Sequence, residues 1–191
     1  MSKITVGFAL CGSFCTFSQV IKEMEALISK GYEIVPIMSF NAFSTDTRFG
    51  KASEHTERIE AICKRKIIST IPDAEPIGPK KMLDILLIEP CTGNTAAKLA
   101  NGITDTPVTL AAKSHLRNNR PLLIAISTND ALSGSAGNIG KLINTNNVFF
   151  VPFRQDSPDG KPRSMISDFS KTEAAILCAL KKEQLQPIVF G

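Results

Sequence analysis

Short, almost unbroken apolar runs recur along the chain, and each is followed by a segment of helical period. Residues 84–90 (DILLIEP) are the clearest case. A run of that length without polar alternation reads as a strand covered on both faces, as in a parallel sheet. Residues 4–10 (ITVGFAL), 33–39 (EIVPIMS), 121–127 (PLLIAIS) and 148–153 (VFFVPF) read the same way. Between them lie helical patterns. In the first, Phe14, Phe17, Val20, Ile21, Met24, Leu27 and Ile28 fall on one side, and Gly31 is the stop signal. Strands alternating with helices predict an α/β fold: a three-layer, doubly wound parallel sheet of the flavodoxin or Rossmann type, in one domain over residues 1–191. Pro36 lacks an N–H, so strand two is expected at an edge or to carry a bulge. Residues 40–50 and 154–166 read as polar loops, and the tail 186–190 as an apolar segment that packs on a neighbour or adds a short strand.

Composition narrows the classes. The chain has 191 residues, with 43% hydrophobic and 21% charged content and a net charge of +4. The basic residues are scattered without interleaved aromatics, which argues against a nucleic-acid surface. There is no long apolar span or leader pattern, so no membrane segment is expected. Cys11, Cys15, Cys63, Cys91 and Cys178 are odd in number and lack metal-ligand spacing. They read as reduced thiols of a cytoplasmic protein with no metal site. His55 and His115 are isolated and expected on helix surfaces.

Ligands of such sheets bind beyond the carboxyl ends of the strands. The loops there are 11–14, 39–47, 91–95 and 127–132, all rich in Ser, Thr, Asn and Gly. Neutral donors and backbone N–H groups at helix starts suit a phosphate that is held and not transferred. The candidates are Gly12, Ser13, Ser39, Thr92, Gly93, Asn94, Thr95, Thr128 and Asn129. Helix capping competes as an explanation for the first seven, and turn formation for the last two. Arg48 is the candidate for gripping a carboxylate substrate, with Arg154, Lys161 and Arg163 as alternatives; a solvated surface charge is the bland reading of each. No general base stands out, and Lys98 and Asp105 read as a helix-surface pair or a subunit contact.

Two motifs carry a resemblance. Leu10-Cys-Gly-Ser13 follows a strand, and the segment from Pro90 to Asp105 contains Pro90, Thr92, Asn94, Thr95, Lys98, Ala100, Gly102 and Asp105 in the pattern P-x-T-x-N-T-x-x-K-x-A-x-G-x-x-D. Both resemble the flavoprotein family of phosphopantothenoylcysteine decarboxylase and its prenyltransferase relatives. That resemblance implies FMN or a related flavin, held by its phosphate and ribityl chain. The decarboxylases carry a His before the third strand, where residues 74–78 here read AEPIG, and a Met- and Trp-bearing loop of which only Asn129 survives. Cysteine decarboxylation is therefore not expected. Residues 44–50, 74–80, 127–132 and 149–165 are similar to the B-subunit family of dipicolinate synthases. This implies oxidation of a dihydrodipicolinate to pyridine-2,6-dicarboxylate in the mother cell of a sporulating bacterium. It further implies the dipicolinate synthase A subunit as partner, with NADP held by that partner, and self-association. The alternative is a non-catalytic partner that stabilises or assists the A subunit.

Overall fold

A computed structural model describes residues 3–191. The parallel strands are β1 (Thr5–Leu10), β2 (Glu33–Met38), β3 (Ile85–Cys91), β4 (Leu122–Thr128) and β5 (Val148–Phe150). They stand in the order β2-β1-β3-β4-β5. The remaining strands, β6 (Phe153–Ser157) and β7 (Lys161–Ser167), form an antiparallel hairpin. Strand β7 pairs with the carboxyl end of β4 through Ser127–Ile166 and Thr128–Met165, making a mixed sheet of seven strands. The expected doubly wound parallel sheet is present, with this hairpin added. Residues 154–166 are thus not a loop: Pro158, Asp159 and Gly160 turn the hairpin between the paired Ser157 and Lys161.

Helices cover both faces. They are α1 (Phe17–Ser29), α2 (Phe40–Ser44), α3 (Ala52–Cys63), α4 (Ile71–Ala74), α5 (Gly93–Ala100), α6 (Pro107–Leu116), α7 (Ala136–Ile143) and α8 (Thr172–Leu180). Side chains alternate along each strand, so Val6, Phe8, Ile85, Leu87 and Leu123 pack toward α1 and α8. Ala9, Leu86, Ile88, Leu122 and Ile124 pack toward α5, α6 and α7. The strands that separate these two cores are buried on both sides, which is why their sequences are continuous apolar runs. Among the described residues, no helix is long and apolar enough to cross a membrane.

Strand β2 is an edge strand paired in unbroken register with β1, Pro36 opposite Phe8. Pro36 faces its backbone outward, where its carbonyl accepts from the Ile68 N–H at 2.9 Å, so its missing donor costs no bond to β1. Residues 40–44, irregular by sequence pattern, instead form the single turn α2, because the Ser39 hydroxyl accepts from the Ala42 N–H at 3.3 Å. His115 also departs from expectation. It is 1% exposed, and its Nε2 lies 3.1 Å from the Pro121 carbonyl. The tail folds back on its own chain, with Phe153 donating to Ile188 and Phe190 donating to Phe153 through the backbone.

Candidate functional site

Strand order reverses between β1 and β3, so their following loops diverge and leave a crevice at the carboxyl end of the sheet. A cavity of about 670 Å³ lies there. Its lining comes from the loop after β1 (Gly12 to Thr16), the tip of β3 (Thr92), the tip of β4 (Ser127 to Asn129), the α2–α3 connection (Arg48, Phe49) and the hairpin (Asp156, Lys161, Ser164 to Ile166). A volume of this order holds a cofactor-sized ligand.

The strand tips are tied to one another by hydroxyls. Ser13 Oγ and Ser127 Oγ are 2.8 Å apart, joining β1 to β4. Thr92 Oγ1 accepts from the Thr95 N–H at 3.3 Å and donates to Thr95 Oγ1, which donates to Cys11 Sγ at 3.2 Å. That chain joins β3 to β1 and holds the start of α5 in place. The first N–H groups of α5, on Gly93 and Asn94, have no partner within the helix. The Gly12 N–H has no acceptor among the described residues.

The candidate residues divide. Gly12, Ser13, Thr92, Thr128, Asn129 and Arg48 line the same cavity. Ser39, Gly93, Asn94 and Thr95 do not. Ser39 spends its hydroxyl on the α2 cap and its N–H on the Leu10 carbonyl. The Ser13 N–H is taken by the Cys11 carbonyl at 2.8 Å, leaving its hydroxyl as the group facing the cavity. At Gly93 the space for a side chain is already filled by neighbours: a Cβ there would sit 2.5 Å from Ser135 Oγ, 2.7 Å from Asp130 Oδ1 and 2.8 Å from Thr128 Oγ1. Asp130 organises that cluster, accepting from Thr128 Oγ1 at 2.6 Å and from Ser135 Oγ at 2.9 Å. Thr95 is buried, and Asn94 is exposed. Lys98 and Asp105 pair with each other at 2.8 Å, bracing α5 against the segment that follows Gly102.

Electrostatics separate the floor from the walls. Burial pushes the Cys11 thiol up to about 11 and the Cys91 thiol well above its ordinary value, so both behave as small apolar groups. Glu89, fully buried on β3, takes one hydrogen bond from Thr172 Oγ1 at 2.7 Å, and its other oxygen has no partner among the described residues. Burial raises its carboxyl to about 8, with the Thr172 bond opposing the shift and Glu23 adding to it. Glu89 does not line the cavity. The charged side chains that do are Arg48, Asp156 and Lys161.

A family profile described as Flavoprotein matches residues 1–174. The chain belongs to the flavoprotein family. It is 46% identical over 184 residues to the dipicolinate synthase B subunit of Bacillus subtilis (strain 168), covering 96% of this chain and 92% of that one. The crystal structure of the dipicolinate synthase B subunit from Bacillus halodurans superposes with a TM-score of 0.90 at 40% identity, covering 100% of this chain and 99% of that chain. At the level of fold alone, the structure of Burkholderia xenovorans DmrB in complex with FMN, a cubic protein cage for redox transfer, superposes at 17% identity. Its TM-score is 0.68, and the match covers 94% of this chain and 96% of that chain.

Sequence reasoning misses part of this flavoprotein's cavity. The hairpin wall reads as a loop, so Asp156 and Ser164 do not stand out. A signal is present: Ser157-Pro-Asp-Gly160 is a turn sequence, and such a turn between extended segments marks a hairpin. Phe14 and Phe49, which give the cavity its aromatic surface, carry no local signal. Their approach depends on how α1 and the α2–α3 connection fold over the sheet.

Proposed function

We propose that this protein is the B subunit of a dipicolinate synthase, contributing to oxidation of dihydrodipicolinate to dipicolinate together with an A subunit that carries NADP. The observation that carries this reading is the cavity into which the tips of β1, β3 and β4 bring neutral donors and the α2–α3 connection brings Arg48. The 46% identity to a protein of that name supports the choice of reaction. The setting is the cytoplasm of a sporulating mother cell. Self-association belongs to the same reading, and the exposed Phe40, Phe43 and Ile103 provide apolar surface for it.

The residues present fit the phosphate and ribityl end of an FMN-type flavin. The unpaired Gly12 N–H and the Ser13 hydroxyl are donors of the right kind; the Thr92 and Thr128 hydroxyls give their protons to Thr95 Oγ1 and Asp130 Oδ1 and would serve a phosphate by exchanging those bonds. When bound, a flavin supplies a hydride acceptor. This chain's own residues hold the phosphate with fixed amides and hydroxyls, and Phe14 and Phe49 shield the space from water. Arg48 grips a substrate carboxylate through its planar fork.

Titration of flavin fluorescence with the purified protein tests the cofactor, with quenching expected. Adding the chain to its purified A partner and following dipicolinate absorbance tests the reaction; equal rates with and without this chain would refute a catalytic contribution. A second reading follows from the engaged donors of Ser13 and Ser39 and the inward-packed Gly93, which leave fewer free groups for a phosphate. It makes the chain a non-catalytic partner that stabilises or assists the A subunit. A colourless protein that quenches no flavin yet accelerates the A subunit would favour it.

A further inference from the structure

The hairpin wall holds an arrangement that its sequence does not announce. The β6–β7 register shifts between Gln155 and Ser157, so Asp156 sits in an irregularity of the ladder. Such irregularities re-aim side chains at the edges of sites. Asp156 lines the cavity, and its Oδ2 accepts from Lys161 Nζ at 2.9 Å. Ser164 Oγ lies 3.5 Å from the same oxygen and 3.4 Å from Asn129 Oδ1, linking this pair to the tip of β4. The Lys161 and Asp156 side chains are 57% and 30% exposed, so the ion pair is solvated and exchanges readily for another partner. An ammonium has three N–H donors. One is spent on Asp156, and two remain for another partner.

Arg48 arrives from a different element, the α2–α3 connection. Its guanidinium lies over the Phe49 ring at 4.9 Å and has no carboxylate partner among the described residues. The cavity thus has two cationic groups on separate walls and a single carboxylate, already committed to one of them.

We propose that Lys161 is a second carboxylate anchor, so that Arg48 and Lys161 together select a small planar dicarboxylate over a monocarboxylate. Asp156 is the positioning residue that keeps the Lys161 ammonium turned into the cavity. The assignment rests on reading this cavity as the substrate site of a dipicolinate synthase. Its physical content is discrimination by charge count. A ligand with one carboxylate satisfies Arg48 through a bidentate pair and gains nothing from Lys161. A second carboxylate on the far side of the ring meets Lys161 and adds a second charge-assisted contact.

Isothermal titration of the full-length protein with pyridine-2,6-dicarboxylate and with pyridine-2-carboxylate tests this. The wild type should bind the dicarboxylate about tenfold or more tightly than the monocarboxylate, the size of one charge-assisted contact. Lys161→Met should remove that preference while changing monocarboxylate affinity by less than about twofold; Arg48→Met should weaken both ligands. Asp156→Asn should lower the preference by about threefold, and Asp156→Glu should restore it, whereas a merely structural role would weaken both ligands alike. Lys161 is exposed on a hairpin, and a thermal melt of each variant confirms that the fold is kept. If the wild type takes the dicarboxylate and Lys161→Met keeps the full preference, the anchor assignment is overturned and the substrate reading stands. If the wild type takes neither ligand, the substrate reading falls and the anchor falls with it.

Discussion

Toward the amino ends of the parallel strands, Leu83, Leu86 and Leu122 fill the space with apolar side chains that are fully buried. At the carboxyl ends the chain turns through Gly12-Ser13, Thr92-Gly93 and Thr128-Asn129, and the space is divided by hydroxyls, the Asp130 and Asp156 carboxylates and a cavity. Two glycines make the contrast concrete. A Cβ at Gly7 would meet Leu83 Cδ1 at 2.4 Å and Leu86 Cδ1 at 2.9 Å; one at Gly93 would meet three polar oxygens. The leucine methyls can re-rotamer around an intruder. The oxygens are fixed by directional bonds to Asp130, so displacing one misplaces the others. The lower part of the sheet therefore sets how stable the protein is, and the upper part sets where its donors point.

Phe8→Ala presses hardest on that division. Phe8 is fully buried in the layer beneath α1. Emptying its site should cost about 3–5 kcal/mol in denaturant unfolding. The flavin quenching expected under the proposed function should change by less than about twofold in the folded variant, and lost binding with the fold intact would break the comparison. Gly93→Ala presses on the other region. Its stability cost should be smaller, about 1–3 kcal/mol, typical of overpacking. The change should nonetheless abolish most ligand binding, because Thr128 and the start of α5 must shift. Unchanged flavin and dipicolinate titrations for this variant would separate the Asp130 cluster from the site.

The difference between the two regions also explains what the sequence reveals. The runs at 84–90 and 121–127 are legible as buried parallel strands because burial on both faces excludes polar residues, and that is a local property. The P-x-T-x-N-T segment is equally legible, yet much of what it encodes is the helix itself: Thr92 caps α5, Lys98 and Asp105 brace its end, and Gly102 at φ 69° leaves it. Gly93 and Ser39 look like phosphate contacts because helix starts and anion sites use the same residues. The Ala42 contact shows Ser39 acting as a cap, and the crowding by Ser135 and Asp130 shows why position 93 carries no side chain. The hairpin wall is hidden because exposed β6 (Phe153–Ser157) is mostly polar and gains its pairing from β7, a tertiary contact. The burial of His115 is hidden for the related reason that one polar residue on a helix does not disclose what packs above it.

Two buried ionisable groups sharpen the comparison further, since they give the two ends opposite pH responses. Glu89, on β3 near the cavity end, has its carboxyl raised by burial to about 8 from an ordinary 4.5. Between those values the folded state holds a proton that the unfolded chain releases. Its stabilising contribution is therefore complete below the unfolded value and lost as pH rises through 8. His115, packed by Pro121 at the other end, is pushed down by burial to about 4 from 6.5, with the Pro121 carbonyl opposing the shift and Arg120 and Lys182 adding to it. Here the unfolded chain holds the extra proton, so the contribution is present above 6.5 and lost as pH falls toward 4. Each group can tilt stability by at most about 1.4 kcal/mol per pH unit, the value for one proton. The two windows overlap between pH 4.5 and 6.5, where the opposing slopes offset each other, so from these two groups urea unfolding should show a plateau there and a fall from about 6.5 to 8. Glu89→Gln should remove the fall above 6.5 and uncover the rise from 4 to 6.5 that His115 produces, and His115→Gln should uncover the whole fall from 4.5 to 8. A fall above pH 6.5 that survives Glu89→Gln would mean that another group sets it and that the buried carboxyl does not govern the alkaline response.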